Sequence, residues 1–185
     1  MEAKLPIRKH PRLSSYDYSS AGAYFVTICI QGRRCVLSRV VGRGLAPAEK
    51  NGNSDISTES AQRPTPQIEF TTYGKIAERQ LLSLKMRYAH VTIDRYVIMP
   101  NHIHAILILD RQTAGASPRP TIMDIICAYK SMVTRECKTV GFSGKMFQTS
   151  FYEHIIRGKE DYNEIAKYIY ENPVCWYYDE LYSEC

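Results

Sequence analysis

Two histidines open the oily stretch MPNHIHAILIL, residues 99 to 109. If residues 102 to 109 form a strand, side chains two apart share a face. His102 and His104 then project together, while Ile103 and Ala105 point the other way. A pair of imidazoles on a rigid strand can grip one metal ion. The bland alternative is that each ring is satisfied by a hydrogen bond or water, and spacing alone leaves both open. A metal needs a third ligand, and no HExxH or CxxC supplies one nearby. The stretch EDYNEIAKYIYENPV, residues 160 to 174, offers a candidate. On a helix, Tyr168 and Asn172 are four residues apart and share a flank. Packed against the histidines, Asn172 would complete a His-His-Asn site, with Tyr168 about one helical turn away. Both residues also have ordinary roles. A tyrosine in a chain with 14 of them can be packing, and an asparagine before proline is a common helix stop.

These groups need elements to place them. AYFVTICIQ, residues 23 to 31, is aromatic and β-branched and reads as a strand. Residues 41 to 67 are polar, rich in Gly, Pro, Ser and Asn, and have no period, which predicts a flexible insertion. Tyr73, Ile76, Ala77, Leu81, Leu84 and Tyr88 recur at helical spacing over 72 to 87. A strand follows over 91 to 99; Pro100 and Asn101 turn it into residues 102 to 109. Thr121 caps a helix with Asp124 as its reciprocal partner, and Ile122, Ile125, Ile126 and Tyr129 give that helix its core face. MFQTSFYEHIIR, 146 to 157, reads as a fourth strand. A last helix spans 159 to 171 and must end before Pro173. The order predicts an α+β fold: a ferredoxin-like βαββαβ antiparallel sheet with helices on one face, plus an added C-terminal helix. Residues 1 to 185 are expected to form a single domain.

The bulk numbers agree with a globular chain. It has 185 residues, 44% hydrophobic and 23% charged, enough to bury a core. No apolar run approaches a membrane span, and the basic N-terminus lacks a secretory core. Six scattered cysteines indicate neither a zinc ribbon nor a disulfide framework, so a reducing, cytoplasmic setting is expected. The net charge of +5 suits a nucleic-acid partner without requiring one. Arg33 and Arg34 after the first strand, the Lys130, Thr134 and Lys138 stripe, His154 with Arg157, and the arm IRKHPRL are candidate phosphate contacts. An ordinary solvated face is the alternative.

Taken together, these segments carry a resemblance. YDYSSAGAYFVTICIQGRR, RYVIMPNHIHAILIL and FYEHIIRGKEDYNEIAKYIYENPVCW resemble, in order, the first strand, the His-hydrophobic-His strand and the tyrosine helix of the HUH single-tyrosine transposases. More narrowly, the Tyr-Ile-x-x-Asn-Pro run resembles that of the REP-associated tyrosine transposases.

The resemblance implies a transposase that cleaves single-stranded DNA beside a REP-like palindromic hairpin. His102, His104 and Asn172 match the metal ligands and Tyr168 the nucleophile. The implied metal is Mg²⁺ or Mn²⁺, although imidazole softness alone favours zinc or nickel. The implied setting is the bacterial cytoplasm, on the nucleoid when DNA is bound. The short link at 157 to 159 leans towards a monomer acting in cis, with a dimer as the other option. Two other readings of the residues stay open: a non-catalytic single-strand-binding module that stacks bases on a sheet, and a hydrolase whose His pair activates water.

Overall fold

The computed structural model describes residues 16–42, 66–110 and 120–184. The N-terminal arm, most of the 41 to 67 insertion and most of the loop before Thr121 lie outside the described residues.

Strand β1 (Gly22–Cys29) is the centre of the sheet. It pairs antiparallel with β5 (His102–Leu109) on one side and β6 (Tyr152–Ile156) on the other. Strand β4 (Val91–Ile98) pairs with β5 at the far edge, giving the order β4-β5-β1-β6. Among these strands in chain order, the second and third are adjacent, and the first lies between the third and fourth. That is the ferredoxin-like arrangement expected from the sequence. Each strand is a short β-branched or aromatic run, and β5 is buried on both faces, which explains why AILIL does not alternate.

One face of the sheet meets α1 (Thr72–Leu82) and α3 (Ile122–Thr139). Tyr24, Val26, Ile28, Ile103, Ala105 and Leu107 form one buried cluster with residues of those helices. Thr121 and Asp124 close the expected capping box on α3. Gly74 lies so close to Leu37 that a Cβ would stand 2.0 Å from its carbonyl oxygen, so only glycine lets α1 approach here.

The opposite face carries Phe25 and Ile106, which cluster with Ile165 and Ile169 of α4 (Lys159–Glu171) and with Trp176. Two devices aim α4. Gly158 adopts φ 104°, a left-handed turn suited to glycine, just before the helix. A bulge between Ile93 and Arg95 frees Asp94 from the ladder, and Asp94 accepts the Tyr162 hydroxyl at 2.6 Å.

Several expectations need correction. The insertion is flanked by two strands that the sequence reading missed: β2 (Ser38–Val41) and β3 (Gln67–Phe70) pair antiparallel. The helix expected over 72 to 87 breaks at Ser83, whose hydroxyl bonds the Gln80 carbonyl; a short turn, α2 (Leu84–Arg87), follows. The fourth strand begins at Tyr152, not 146. Before it, Lys130 takes the carbonyls of Gln148 and Thr149, at 2.5 and 3.0 Å. Gln148 N–H goes to the Cys29 carbonyl, so this backbone is satisfied outside a continuous ladder. Cys29, Cys127, Cys137 and Cys175 form no disulfide, but Cys35 is disulfide-bonded, which the scattered spacing did not indicate. Among the described residues, no helix is long and apolar enough to cross a membrane.

Candidate active site

Strand β5 begins with its two histidines on the α4 face, and both are buried, at 0% and 2% exposure. Their ring centroids are 4.4 Å apart. Each ring is oriented through Nδ1. Asn101 Oδ1 lies 2.8 Å from His102 Nδ1. The Asn101 amide nitrogen donates to the Leu181 carbonyl and Ser183 Oγ, so its oxygen is the acceptor for a proton on Nδ1. That leaves His102 Nε2 as a bare lone pair, buried and without a partner among the described residues. His104 Nδ1 lies 2.9 Å from Thr27 Oγ1, its cross-strand neighbour on β1. A ring nitrogen fixed in this way leaves the other free to bind a metal.

The interior keeps both rings neutral. Burial, then the Arg33 charge, lowers the His102 pKa to about 3. Burial, then the neighbouring His102, holds His104 well below its ordinary value, with Asp179 opposing. Neutral imidazole is the form that ligates a metal.

Helix α4 brings Tyr168 and Asn172 to the same place. The Tyr168 hydroxyl lies 3.2 Å from His104 Nε2, and the rings are 5.1 Å apart. Asn172 ends the helix, 2% exposed. Its Nδ2 donates to Asp179 Oδ2 at 2.6 Å, while its Oδ1 is buried without a partner among the described residues.

Asp179 is the residue that sequence reasoning missed. It follows a turn, Trp176–Tyr178, whose indole packs against the His102 ring at 5.8 Å. Its Oδ2 accepts the Tyr168 hydroxyl at 3.2 Å. Ligand atoms of His102, His104 and Asp179 all lie within 4.8 Å of one another. The only signal in the sequence is an acid within an aromatic run, which fixes no distance to the histidines. Asn101 and Thr27 were also missed as ring-orienting residues; the turn reading explained Asn101 without them.

This donor set fits a divalent cation. Two buried lone pairs, His102 Nε2 and Asn172 Oδ1, lack partners, and an unpaired buried polar atom is costly unless something meets it. Two nitrogens, an amide oxygen and a carboxylate make a mixed set that oxygen-seeking and nitrogen-seeking divalent ions both accept. Burial, then the Asp179 carboxylate, pushes the Tyr168 phenol above its ordinary range. The site opens into a cleft of about 720 Å³, within the usual range of ligand sites.

The expected phosphate contacts do not assemble here. Arg33 donates to the Glu180 carbonyl. Arg34 donates to the Gln31 and Lys145 carbonyls and lies over the Phe142 ring. His154 is held by Asp161, which also accepts the Arg157 backbone N–H, so this pair anchors the start of α4. Lys130 is half-buried, and burial lowers its pKa. It lies with Arg135, Lys138 and Lys145 in a separate groove beside α3, whose lining includes no carboxylate. Gln148 lines both this groove and the cleft.

No family model matches the chain. An uncharacterized protein of Haemophilus influenzae is 28% identical over 192 residues, spanning 96% of this chain and 94% of the relative. Among solved structures, the chain shares the fold of a tyrosine transposase. The match is to a REP-associated tyrosine transposase bound to a REP hairpin, with a TM-score of 0.56 and 21% identity over 91% of this chain and 77% of that one.

Proposed function

We propose that this chain is a metal-dependent single-stranded DNA endonuclease and strand transferase, a tyrosine transposase working through a 5′-phosphotyrosine. The observation that carries the reading is the contact of the Tyr168 hydroxyl with His104 Nε2, at the mouth of a buried donor set with unfilled lone pairs. The shared fold supports it, and the REP hairpin in that relative makes a palindromic DNA hairpin the natural partner.

His102, His104, Asn172 and Asp179 would hold Mg²⁺ or Mn²⁺; bound there, the ion supplies positive charge that polarises the scissile phosphate. The chain's own residues do the rest. Tyr168 Oη attacks phosphorus, forming an O–P bond as the bond from phosphorus to the 3′ oxygen breaks. The phenol gives up a proton and the 3′ oxygen gains one. One phosphodiester replaces another, so no ATP is consumed, and the chain contains no GxxxxGK loop. Without the ion, burial and the Asp179 charge keep Tyr168 protonated, which holds the nucleophile off until the charge is offset. Tyr168 meets His104 within one chain, which supports a monomer acting in cis, with exchange of the tyrosine helix in a dimer as the other option. Phosphates of the bound DNA lie along the α3 groove, which joins the cleft at Gln148.

The test uses labelled single-stranded DNA carrying a candidate palindromic hairpin, with Mn²⁺, on a denaturing gel. A covalent protein–DNA band that chelator abolishes supports the reading. Cleavage with no covalent band would point to a hydrolase, and binding with no cleavage to a binding module.

A further inference from the structure

The cleft presents a problem of attraction. Its lining includes three carboxylates, Glu171, Asp179 and Glu180, and neither lysine nor arginine. Its side chains therefore offer phosphates no cationic partner, and positive charge enters the cleft only with an ion at the histidines, where it serves the scissile phosphate. One ion holds one phosphate, so the nucleotides beside the scissile bond need contacts of another kind.

Two tyrosines besides Tyr168 line this cleft, Tyr152 and Tyr178, and they are 57% and 73% exposed. Neither hydroxyl has a hydrogen-bond partner among the described residues, unlike Tyr24, Tyr96 and Tyr162, which bond to the fold. Tyr152 lies on edge strand β6, opposite Thr27, and so shares the sheet face of the histidines. Its ring meets Phe25 edge-on at 6.4 Å, and Tyr168 meets the same Phe25 ring at 6.2 Å. Tyr152 is thus one ring removed from the attacking phenol. Tyr178 is adjacent to Asp179, and its ring is braced by Tyr177 at 5.5 Å. An exposed ring held in place and free of other duties suits the face of a nucleic-acid base, whose stacking tolerates any sequence.

We infer that Tyr152 and Tyr178 are base-stacking platforms that hold single-stranded nucleotides on either side of Tyr168. This rests on the single-stranded DNA reading above and names the contacts that hold the substrate. Apart from the scissile phosphate itself, the strand is gripped by its bases inside the cleft and by its phosphates outside it.

The experiment compares two probes in a Tyr168→Phe background, which removes the nucleophilic oxygen and leaves binding alone. One is a labelled oligothymidine of about twelve nucleotides, within the usual single-strand site size. The other is an abasic backbone of the same length. The parent should prefer the oligothymidine. Tyr152→Leu and Tyr178→Leu should each weaken oligothymidine binding roughly fivefold or more, leave abasic binding unchanged, and keep the parent's melting temperature. Tyr152→Phe should bind like the parent. An oligothymidine-to-abasic ratio unchanged by both leucine variants overturns the platform while leaving the DNA reading intact. Binding of neither probe by the parent overturns both.

Discussion

The Tyr168 hydroxyl stands 3.2 Å from His104 Nε2, though the two residues are 64 positions apart in the chain. Neither element could make this contact alone. His104 is fixed by the β5 ladder and by Thr27. Tyr168 is fixed by α4, which Gly158 launches and Asp94 tethers. The contact reports the sheet and the added helix docked as one unit.

The orientation of His104 is open to test through Thr27. Thr27→Val keeps the shape but removes the hydroxyl that meets Nδ1. Mn²⁺ affinity should fall on the order of 10–100-fold, as for other groups that orient metal-bound imidazoles. Trp176, the single tryptophan, packs on His102 and gives the readout, since bound Mn²⁺ should quench its fluorescence. His102→Ala should abolish the quenching.

Asp179 and Asn172 face each other through a 2.6 Å hydrogen bond. Asp179→Asn removes the charge and nearly preserves the shape. It should weaken Mn²⁺ binding in the same fluorescence titration. It should also let the Tyr168 phenol titrate at lower pH, because the Asp179 charge is the second cause, after burial, of its upward shift. Ultraviolet difference spectra of the chelator-treated protein against a Tyr168→Phe control would show this.

Stability of the metal-free protein should depend on pH through His102. Its folded pKa is lowered to about 3 by burial first and Arg33 second, while the unfolded value is about 6.5. Below about 6.5 the unfolded chain binds the proton and the folded chain does not. The contribution is therefore complete above that pH and is lost as pH falls towards 3. The slope approaches about 1.4 kcal/mol per pH unit for one such group. Urea midpoints between pH 7.5 and 5 should decline in the parent and decline less in His102→Gln.

The α3 groove makes an electrostatic prediction. Arg135→Gln and Lys138→Gln lie on the exposed side of α3 and leave the cleft untouched. Each should reduce the salt dependence of hairpin binding by about one phosphate contact, a change of about 0.7–0.9 in the log–log slope. Covalent cleavage at saturating DNA should be unchanged.

Much of this was legible in the sequence because strong local patterns coincide with the fold. The AYFVTICIQ and HIHAILIL runs became central strands, and the Thr121–Asp124 pair became a capping box. The i, i+2 spacing put both histidines on one face, and the i, i+4 spacing put Tyr168 and Asn172 on one stripe. The misses share a physical cause: they depend on contacts between distant segments. Asp179 reaches the histidines only because the chain folds back after Pro173, and no periodicity encodes a return path. Met146 to Ser150 had strand-like composition, but its carbonyls are taken by Lys130 of α3. Arg33, Arg34 and His154 looked like free charges until their partners in the fold were visible.

The most direct test of the central claim is to digest the covalent DNA adduct with trypsin and sequence the modified peptide by mass spectrometry. Cleavage after Lys167 yields a peptide beginning at Tyr168. The account predicts the phosphate-linked nucleotide on Tyr168, with no adduct in Tyr168→Phe or in His104→Ala. A nucleotide on another tyrosine, or an adduct that survives Tyr168→Phe, would contradict it.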